Sequence, residues 1–259
     1  IHYSQIIWQK DNQQIEALFN HRPLSQFPLF YFRSVGDKNE NLPLLLEYAQ
    51  EHRIRVVDQY LTRLGGAMRK KKSNEAVLLM KAGVSYPQSI FVSDHQALRK
   101  IVSRMKKPVV IKNTGGRHGV GTFWIRSDED LDKALLGRRG ANFLIQEYIP
   151  NDGDYRLFLI GYQVIAGFKR QPKEEKLILN RSRGSSEPLK EIPKEVKQEA
   201  EKAAKTLGVE IAGVDLVVDQ RTGKPVVIEV NQAPEFRVME KRTGINIAAA
   251  IVQYLASLV

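Results

Sequence analysis

The sequence predicts an α/β (α+β) protein in which antiparallel strands and helices share small subdomains. Three observations predict this class. Short runs rich in Val and Ile alternate with helical segments along most of the chain. Two of these runs, VDLVVD and PVVIEV, are joined by only QRTGK and therefore pair as an antiparallel hairpin. A chain of 259 residues suffices for one large core or for two to three small subdomains.

The first half of the chain alternates helices with strands. A helix begins near Asn41, and a short strand follows at 54–58. The segment 63–73 then connects this unit to a helix that Gly83 ends. The next expected elements are a strand at 89–92, a helix with a capping box of Ser93 and Gln96, a strand at 108–112, a glycine loop, the strand VGTFWI, and a helix from Asp128.

Strands are more frequent in the second half. The stretch NFLIQEYI at 142–149 is one strand, and DYRLFLI and YQVIAGFKR form a hairpin around Gly161. The polar segment 172–192 is expected to be irregular. Pro193 opens a helix, and a last helix runs from about Gly244 to the end of the chain. The apolar stripe of the first of these helices consists of Val196, Ala200, Ala203, Ala204 and Leu207.

One apolar strand carries polar side chains. In VVIEVNQAP, residues 226–234, Glu229 and Asn231 are two positions apart and project from the same face. With the hairpin turn centred on Thr222, Asp215 lies opposite Glu229. The two strands offer no basic partner, and like charges directly opposite destabilise a sheet. The trio therefore predicts a hard-cation site suited to Mg²⁺, unless the face is open to solvent or is covered by Lys and Arg from elsewhere.

A strand-end lysine and a glycine loop predict a phosphate site. Lys112 ends the strand PVVIK, and NTGGRHGVG follows it. Glycines let backbone amides approach a polyphosphate closely, although a glycine turn without a ligand explains the loop alone. The loop matches neither the P-loop nor the dinucleotide fingerprint. A protein kinase is excluded, because the loop follows the lysine strand and the HRD and DFG motifs are missing.

Composition narrows the classes of partner. The net charge of +11 favours ligands that carry phosphate or carboxylate groups, although a solvated Lys-rich surface also explains it. The basic run at 69–72 has no interleaved aromatic residue, so no nucleic acid is expected. No apolar run approaches the roughly 18 residues of a membrane span, so no membrane is expected. The sequence has no cysteine, which excludes disulfides and thiolate chemistry and is typical of a cytoplasmic protein.

Seven motifs lie in a fixed order between about residue 71 and residue 259. They are KKSNEAVLLMKAGVSYP, PVVIKNTGGRHGVGT, FLIQEYIPNDGDYRLFLIG, NRSRG, AGVDLVV, VIEVNQAPEF and EKRTGIN. Together they resemble the ATP-grasp superfamily, and most closely its RimK-like branch of amino-acid and peptide ligases. The resemblance implies two α/β subdomains that clasp ATP. The implied division is an N-terminal α/β region at 1–70, a central subdomain with a glycine flap at 71–145, and a C-terminal subdomain with the metal site at 146–259.

The resemblance assigns residues to ATP. It implies that Lys72 and Lys112 reach the phosphates, with Asn180 beside the phosphates and metals, and that Asp154 lies near the ribose. The remaining residues that it assigns to the nucleotide are the flap glycines Gly115, Gly116 and Gly119 and the adenine-binding segment Gln146, Glu147, Tyr148 and Ile149.

The resemblance also assigns metal-binding and catalytic residues. It implies that Asp215, Glu229 and Asn231 bind two Mg²⁺ ions, or Mn²⁺, in agreement with the hairpin argument. The basic residues that it places near a reacting carboxylate are Arg156, Arg170 and Arg183. For any one of these arginines, an ordinary salt bridge is an equal alternative.

The implied reaction joins a carboxylate to an amine at the expense of ATP. The carboxylate attacks the γ-phosphate to give an acyl phosphate, and an amine then displaces phosphate to leave an amide. We expect the enzyme to add an amino acid to an amino acid, a peptide or a protein tail. Two alternatives stay open: an ATP-grasp enzyme that phosphorylates a small molecule, and a nucleotide-binding regulator without turnover.

The sequence departs from the family in two places. The family commonly has a small residue and then Pro-Gly after the metal-binding Asn, whereas this chain has Gln232-Ala233-Pro234-Glu235-Phe236. Glu235 replaces glycine near the acceptor side, so the substrate stays open. The net charge and the arginines favour an acidic acceptor, and Glu235 favours a cationic amine. The chain begins at Ile1, and we expect a reduced or truncated first domain. A homo-oligomer is compatible with the sequence.

Overall fold

The computed structural model describes residues 1–11, 14–33, 41–63, 72–114, 121–138, 140–171 and 186–259. Within these ranges the strands form four sheets with two, three, four and five members. Helices pack on the two largest sheets. The α/β class expected from the sequence is therefore present along the chain.

The N-terminal region contains two small sheets. Strands β1 (Ile7–Asp11), β2 (Gln14–Phe19) and β3 (Arg22–Pro23) form an antiparallel sheet. Strands β4 (Leu29–Tyr31) and β5 (Arg55–Val57) pair in parallel. They are linked through helix α1 (Asn41–Glu51), as the helix–strand pattern predicted, and α2 (Tyr60–Arg63) follows. The three-stranded sheet was not predicted.

The central region contains a four-stranded antiparallel sheet. Its strands are β6 (Ser89–Val92), β7 (Val109–Asn113), β8 (Thr122–Ile125) and β9 (Phe143–Glu147), in the order β6-β9-β7-β8. Helices α4 (His95–Val102) and α5 (Asp128–Leu135) share a core with this sheet. Helix α3 (Lys72–Lys81) instead packs against the C-terminal region, where buried Leu79 joins the core.

The C-terminal region contains the five-stranded sheet that carries most of the site. Its strands are β10 (Asp154–Ile160), β11 (Gln163–Arg170), β12 (Ser186–Pro188), β13 (Ile211–Val218) and β14 (Pro225–Gln232), in the antiparallel order β12-β11-β10-β13-β14. Helix α6 (Lys194–Leu207) covers one face, and its predicted apolar stripe is fully buried there. Helices α7 (Arg237–Thr243) and α8 (Ile247–Ala256) cover part of the other face.

The C-terminal hairpin has the predicted register at the position of the polar side chains. Asp215 pairs with Glu229, and Gly213 pairs with Asn231. A bulge follows between Asp215 and Leu216, and closer to the turn the pairing shifts by one residue. Because side chains alternate along a strand, a one-residue shift changes which residues share a face. The bulge confines this shift to the turn side of the hairpin and leaves the pairing at the site unchanged.

Two local predictions were wrong, and one helix was missed. Asp94, rather than Ser93 with Gln96, caps α4, because its side chain accepts a hydrogen bond from the backbone N of Ala97 at 2.7 Å. The last helix, expected from about Gly244, is confirmed as α8, whereas the short helix α7, which Gly244 ends in a left-handed conformation with φ 73°, was not predicted. The polar segment 172–192 includes strand β12, which pairs with β11; residues 172–185 lie outside the described ranges.

We expect Leu216→Ala to destabilise the fold without touching the polar face. Leu216 on β13 is fully buried in the core that includes the apolar stripe of α6. Truncating a buried leucine costs about 2–5 kcal/mol. Urea denaturation measures this change in the free energy of unfolding. The matched control is Leu136→Ala, whose side chain is 79% exposed and whose truncation should cost less than about 0.5 kcal/mol. Equal losses in the two variants would contradict the assignment of the core face.

Candidate active site

A row of charged side chains crosses one face of the five-stranded sheet. Arg156 on β10 lies opposite Asp215 on β13, which lies opposite Glu229 on β14. One step along the sheet, Asp154 on β10 lies opposite Arg170 on β11. Residues at alternate positions on these strands face α6 and are apolar, so strand periodicity directs the charged groups to the opposite face.

Asp215 is the centre of this row. Its Oδ2 accepts hydrogen bonds from Arg156 Nη1 at 2.6 Å and from Asn231 Nδ2 at 3.0 Å, and its Oδ1 accepts one from Arg170 Nη2 at 2.7 Å. Of the alternatives that the sequence left open, cover by basic side chains from elsewhere is therefore present at Asp215. The two hairpin strands do lack such a partner, but the neighbouring strands β10 and β11 supply two.

Arg170 connects two carboxylates. Besides Asp215, it donates from Nε to Asp154 Oδ2 at 2.7 Å and makes a second, shorter contact through Nη2. Burial disfavours the charge on Arg170, but the carboxylates of Asp215 and Asp154 outweigh it and raise its pKa. Burial also raises the pKa of Asp154, and Arg170 opposes that rise. Asp154 thus belongs to the charged row, and its proximity to a ribose stays a prediction.

Two lysines approach the β14 end of the row. The buried Lys112, at the end of β7, donates from Nζ to the backbone oxygen of Ile228 at 3.3 Å. Lys72, at the start of α3, places Nζ 4.0 Å from Glu229 Oε1. Burial lowers the pKa of Lys112, and the negative charges of Glu229 and Glu75 oppose this shift. Residues from the central sheet, α3 and β14 are therefore brought together, and their roles toward phosphate and metal stay a prediction.

The segment expected to receive adenine joins the two large sheets. Gln146 is buried in β9 and donates to Ser89 Oγ at 2.8 Å, while Glu147 Oε1 accepts from the backbone N of Gln88 at 3.2 Å. The remaining two residues of the segment make apolar contacts: Tyr148 stacks on Trp124 with ring centroids 5.1 Å apart, and Ile149 packs with Val217 and Val226 of the C-terminal sheet.

Five predicted residues lie outside the described ranges, namely Gly115, Gly116, Gly119, Asn180 and Arg183. Beside residues 115–120, which lie outside the described ranges, the backbone N of Asn113 donates to the backbone oxygen of Gly121 at 2.7 Å. This bond continues the β7–β8 pairing toward the glycine loop.

Sequence reasoning missed contacts from distant parts of the chain. Arg33 donates to the backbone oxygens of Ala233 at 2.8 Å and Pro234 at 3.0 Å, and its guanidinium lies 5.2 Å from the ring centre of Phe236. A cleft of about 360 Å³ lies beside this contact and is lined by Arg33, Glu235, Phe236 and Arg237. No local pattern around Arg33 signals a partner 200 residues away.

The donor set of the trio fits a hard cation. Asp215 and Glu229 face each other across two strands, and the amide of Asn231 lies beside Asp215. Mg²⁺ prefers such oxygen ligands and keeps several positions for water and phosphate oxygens. The described parts of the chain contain no cluster of three His, Cys, Asp or Glu side chains that would make a fuller protein cage. The trio therefore suits an ion whose remaining ligands come from a nucleotide.

Comparison with known proteins identifies the family. A model of the RimK-like ATP-grasp domain matches residues 67–255. The chain belongs to the RimK-like ATP-grasp family. A probable alpha-L-glutamate ligase of Methanococcoides burtonii is 33% identical to this RimK-like chain over 191 residues, which covers 72% of the chain and 63% of the relative. Probable alpha-L-glutamate ligase 2 of Shewanella amazonensis is 34% identical over 200 residues, with coverages of 74% and 65%. The RimK-like chain thus spans less than two thirds of the length of these curated relatives.

Solved structures confirm the ATP-grasp fold. The ATP-grasp ligase PsnB, in a complex with a phosphomimetic variant of its minimal precursor, Mg and ADP, superposes with a TM-score of 0.70 at 21% identity, covering 99% of the RimK-like chain and 86% of PsnB. An ATP-grasp RimK domain protein of Sphaerobacter thermophilus superposes with a TM-score of 0.63 at 18% identity, with coverages of 88% and 81%.

Among the described residues, no helix has the length and apolar character that a membrane crossing requires.

We expect Gly213→Ala to displace Arg156 from Asp215. A Cβ at position 213 would lie 2.9 Å from the guanidinium carbon of Arg156 and 2.7 Å from Cβ of Pro234. Such overpacking costs about 1–3 kcal/mol. Here we expect it to be relieved by movement of the Arg156 guanidinium, which belongs to the charged row. ATP turnover should therefore fall by at least about tenfold, which corresponds to about 1.4 kcal/mol.

The control for this variant is Gly223→Ala in the hairpin turn. Gly223 has φ 69° and no neighbour within 4 Å of an added Cβ, so alanine strains the turn without reaching the site. Wild-type turnover by the Gly213 variant, or equal losses in both variants, would show that the close approach of Arg156 to the glycine is not needed.

Proposed function

We propose that the chain catalyses ATP-dependent ligation of a carboxylate to an amine and adds an amino acid to an amino acid, a peptide or a protein tail. The observation that carries this proposal is the convergence of Lys72, Lys112, Arg156 and Arg170 on the trio of Asp215, Glu229 and Asn231. Family membership and the names of the relatives as probable alpha-L-glutamate ligases support it. As part of the proposal, ATP binds between the subdomains at 71–145 and 146–259.

The first step transfers a phosphoryl group. A carboxylate oxygen attacks the γ-phosphorus of ATP, the bond between that phosphorus and the bridging oxygen breaks, and ADP leaves. Such transfer requires positioning and charge neutralisation more than covalent work by the protein. Lys72 and Lys112 bind the phosphates, and Lys112 holds its position through Ile228. Bound at Asp215, Glu229 and Asn231, two Mg²⁺ ions would neutralise charge on the phosphates.

The second step forms the amide. The amine nitrogen attacks the acyl carbon, inorganic phosphate leaves with the bonding electrons, and the nitrogen loses its proton. Arg156 and Arg170 orient the oxygens of the acyl phosphate, because their guanidiniums are already fixed by Asp215 and Asp154. Two further parts of the proposal come from the sequence: the flap at 115–121 excludes water, and Arg183 adds positive charge.

The segment at 146–149 supplies the adenine site in this proposal. Gln146 and Glu147 end the central sheet, and Ile149 packs against β13 and β14. Backbone groups between these anchors are held by both sheets and can pair with a base. Tyr148 and Trp124 stack on each other and give this segment an aromatic wall.

An acidic acceptor is part of the proposal. Arg33 and Arg237 line the cleft of about 360 Å³, and the net charge of the chain is +11. Glu235 in the same cleft suits the ammonium group of the incoming amine. A cytoplasmic location follows from the need for ATP and stays part of the proposal.

We expect Glu229→Gln to abolish ADP formation while the protein stays folded. The substitution keeps the shape of the side chain but removes an anionic ligand from the trio. Because the Glu229 side chain is 37% exposed and lies 4.0 Å from Lys72 Nζ, its neutralisation should change the free energy of unfolding by less than about 1 kcal/mol. Coupled-enzyme detection of ADP and thermal denaturation measure the two effects.

The matched control is Glu187→Gln, an exposed glutamate on β12 of the same sheet. It should form ADP at the wild-type rate. Normal turnover in the Glu229 variant would contradict the metal assignment. A stable phosphorylated product without any amine would instead indicate a kinase, and ATP binding without turnover by the wild type would indicate a regulator.

The charge of the acceptor can be tested with matched peptides. Among matched peptides, an acidic one should be ligated faster than a basic one, and its apparent affinity should fall as salt rises. The reason is screening, since the Debye length decreases from about 10 Å at 0.1 M to about 3 Å at 1 M. Turnover of both peptides at the two ionic strengths tests this. Preference for the basic peptide, or an acidic peptide without salt dependence, would refute an acidic acceptor.

A further inference from the structure

The outer edge of β14 is covered by groups from other elements. β14 is the last strand of its sheet, so alternate backbone groups have no partner strand. The backbone N of Val227 donates to the oxygen of Ser85 at 2.8 Å, and the oxygen of Ile228 accepts from Lys112 Nζ at 3.3 Å. The backbone N of Val230 donates to Glu75 Oε1 at 2.6 Å. Each bond ties β14 to a part of the chain that precedes the hairpin.

Glu75 combines deep burial with a position next to the site. It lies on α3, three residues after Lys72, and is 3% exposed. Its partner Val230 lies between Glu229 and Asn231 and is itself fully buried. A buried backbone N–H that loses its acceptor costs about 1–3 kcal/mol, and a bond to a carboxylate is stronger than a neutral one. The Glu75 side chain therefore holds, from the outer side of β14, the segment that presents Glu229 and Asn231.

We propose that Glu75 is a positioning residue for the metal-binding trio. Its bond to Val230 fixes the pleat of β14, and the pleat sets the direction in which Glu229 and Asn231 project toward Asp215. Because α3 also carries Lys72, the same contact fixes the distance between a phosphate-binding lysine and the metal ligands. The inference rests on the proposed function, because it assigns a role relative to the same nucleotide and metal site.

The test separates the hydrogen bond from the charge. Glu75→Gln keeps an oxygen that can accept from Val230 and removes the charge, whereas Glu75→Met keeps the length and removes the acceptor. The matched control is Glu199→Met, since Glu199 Oε1 accepts from the backbone N of Ser85, also at 2.6 Å, and reaches β14 indirectly, through the bond from Val227 N to Ser85 O. Calorimetry measures the affinity for ADP across a Mg²⁺ titration, and thermal denaturation identifies a temperature at which every variant is folded.

The expected result is specific to position 75. Glu75→Met should weaken Mg²⁺-dependent ADP binding by about 10- to 100-fold, the range found when groups that orient metal ligands are removed. Glu75→Gln should stay within about threefold of the wild type. Glu199→Met should lose stability but bind ADP as the wild type does.

Other outcomes overturn the inference in distinguishable ways. Wild-type binding by Glu75→Met, or equal weakening in the Glu199 control, would show that the contact is only structural. Equal weakening in Glu75→Gln and Glu75→Met would show that the charge beside Lys112 matters rather than the hydrogen bond. If Glu75→Met does not fold, weak binding by a folded Glu75→Gln still refutes the role of the hydrogen bond, and normal binding supports it. Failure of the wild type to bind ADP with Mg²⁺ overturns the proposed function and this inference together.

Discussion

The sharing of Asp215 between Arg156 and Arg170 is the interaction on which the candidate site depends. Each oxygen of the carboxylate is held by a different arginine, and Asn231 adds a third bond. Side chains that alternate with these on the sheet form a fully buried core under α6. A shift of one residue in any of these strands would bury the charged groups and expose the apolar ones, so the core itself enforces the geometry of the site.

The outer edge of β14 provides the second constraint. Lys112 and Ser85 contact its backbone from residues that precede the C-terminal sheet, and Glu75 contacts it from α3. An open edge strand invites pairing with another chain, and these contacts satisfy its outward groups instead. They also bring Lys72 and Lys112 to the strand that presents Glu229. Covering the edge and assembling the site are thus achieved by the same residues.

The parts of the site that were predicted depend on local geometry. A five-residue link and strand alternation suffice to place Asp215 opposite Glu229, and the stripe of α6 follows from helical periodicity. The sequence left salt bridges of Arg156 and Arg170 open but did not assign them to Asp215, since strand order within a sheet depends on the whole fold. Helix α7 was missed for a different reason: it has only seven residues, and the left-handed φ of 73° at Gly244 that ends it is visible only in the structure.

Charge balance at the site explains why a metal belongs to the proposed chemistry. The described groups comprise four cations, Lys72, Lys112, Arg156 and Arg170, and four carboxylates, Glu75, Asp154, Asp215 and Glu229. These described groups alone cannot neutralise the added charge of a triphosphate and a reacting carboxylate. Divalent cations at Asp215 and Glu229 would supply the difference, and they would place it beside the phosphates, where charge develops. The net charge of +11 must then act mainly from outside this row, where solvent and salt screen it. In the proposed function, attraction of an acidic acceptor and stabilisation of its reaction are therefore separate tasks, carried by different residues.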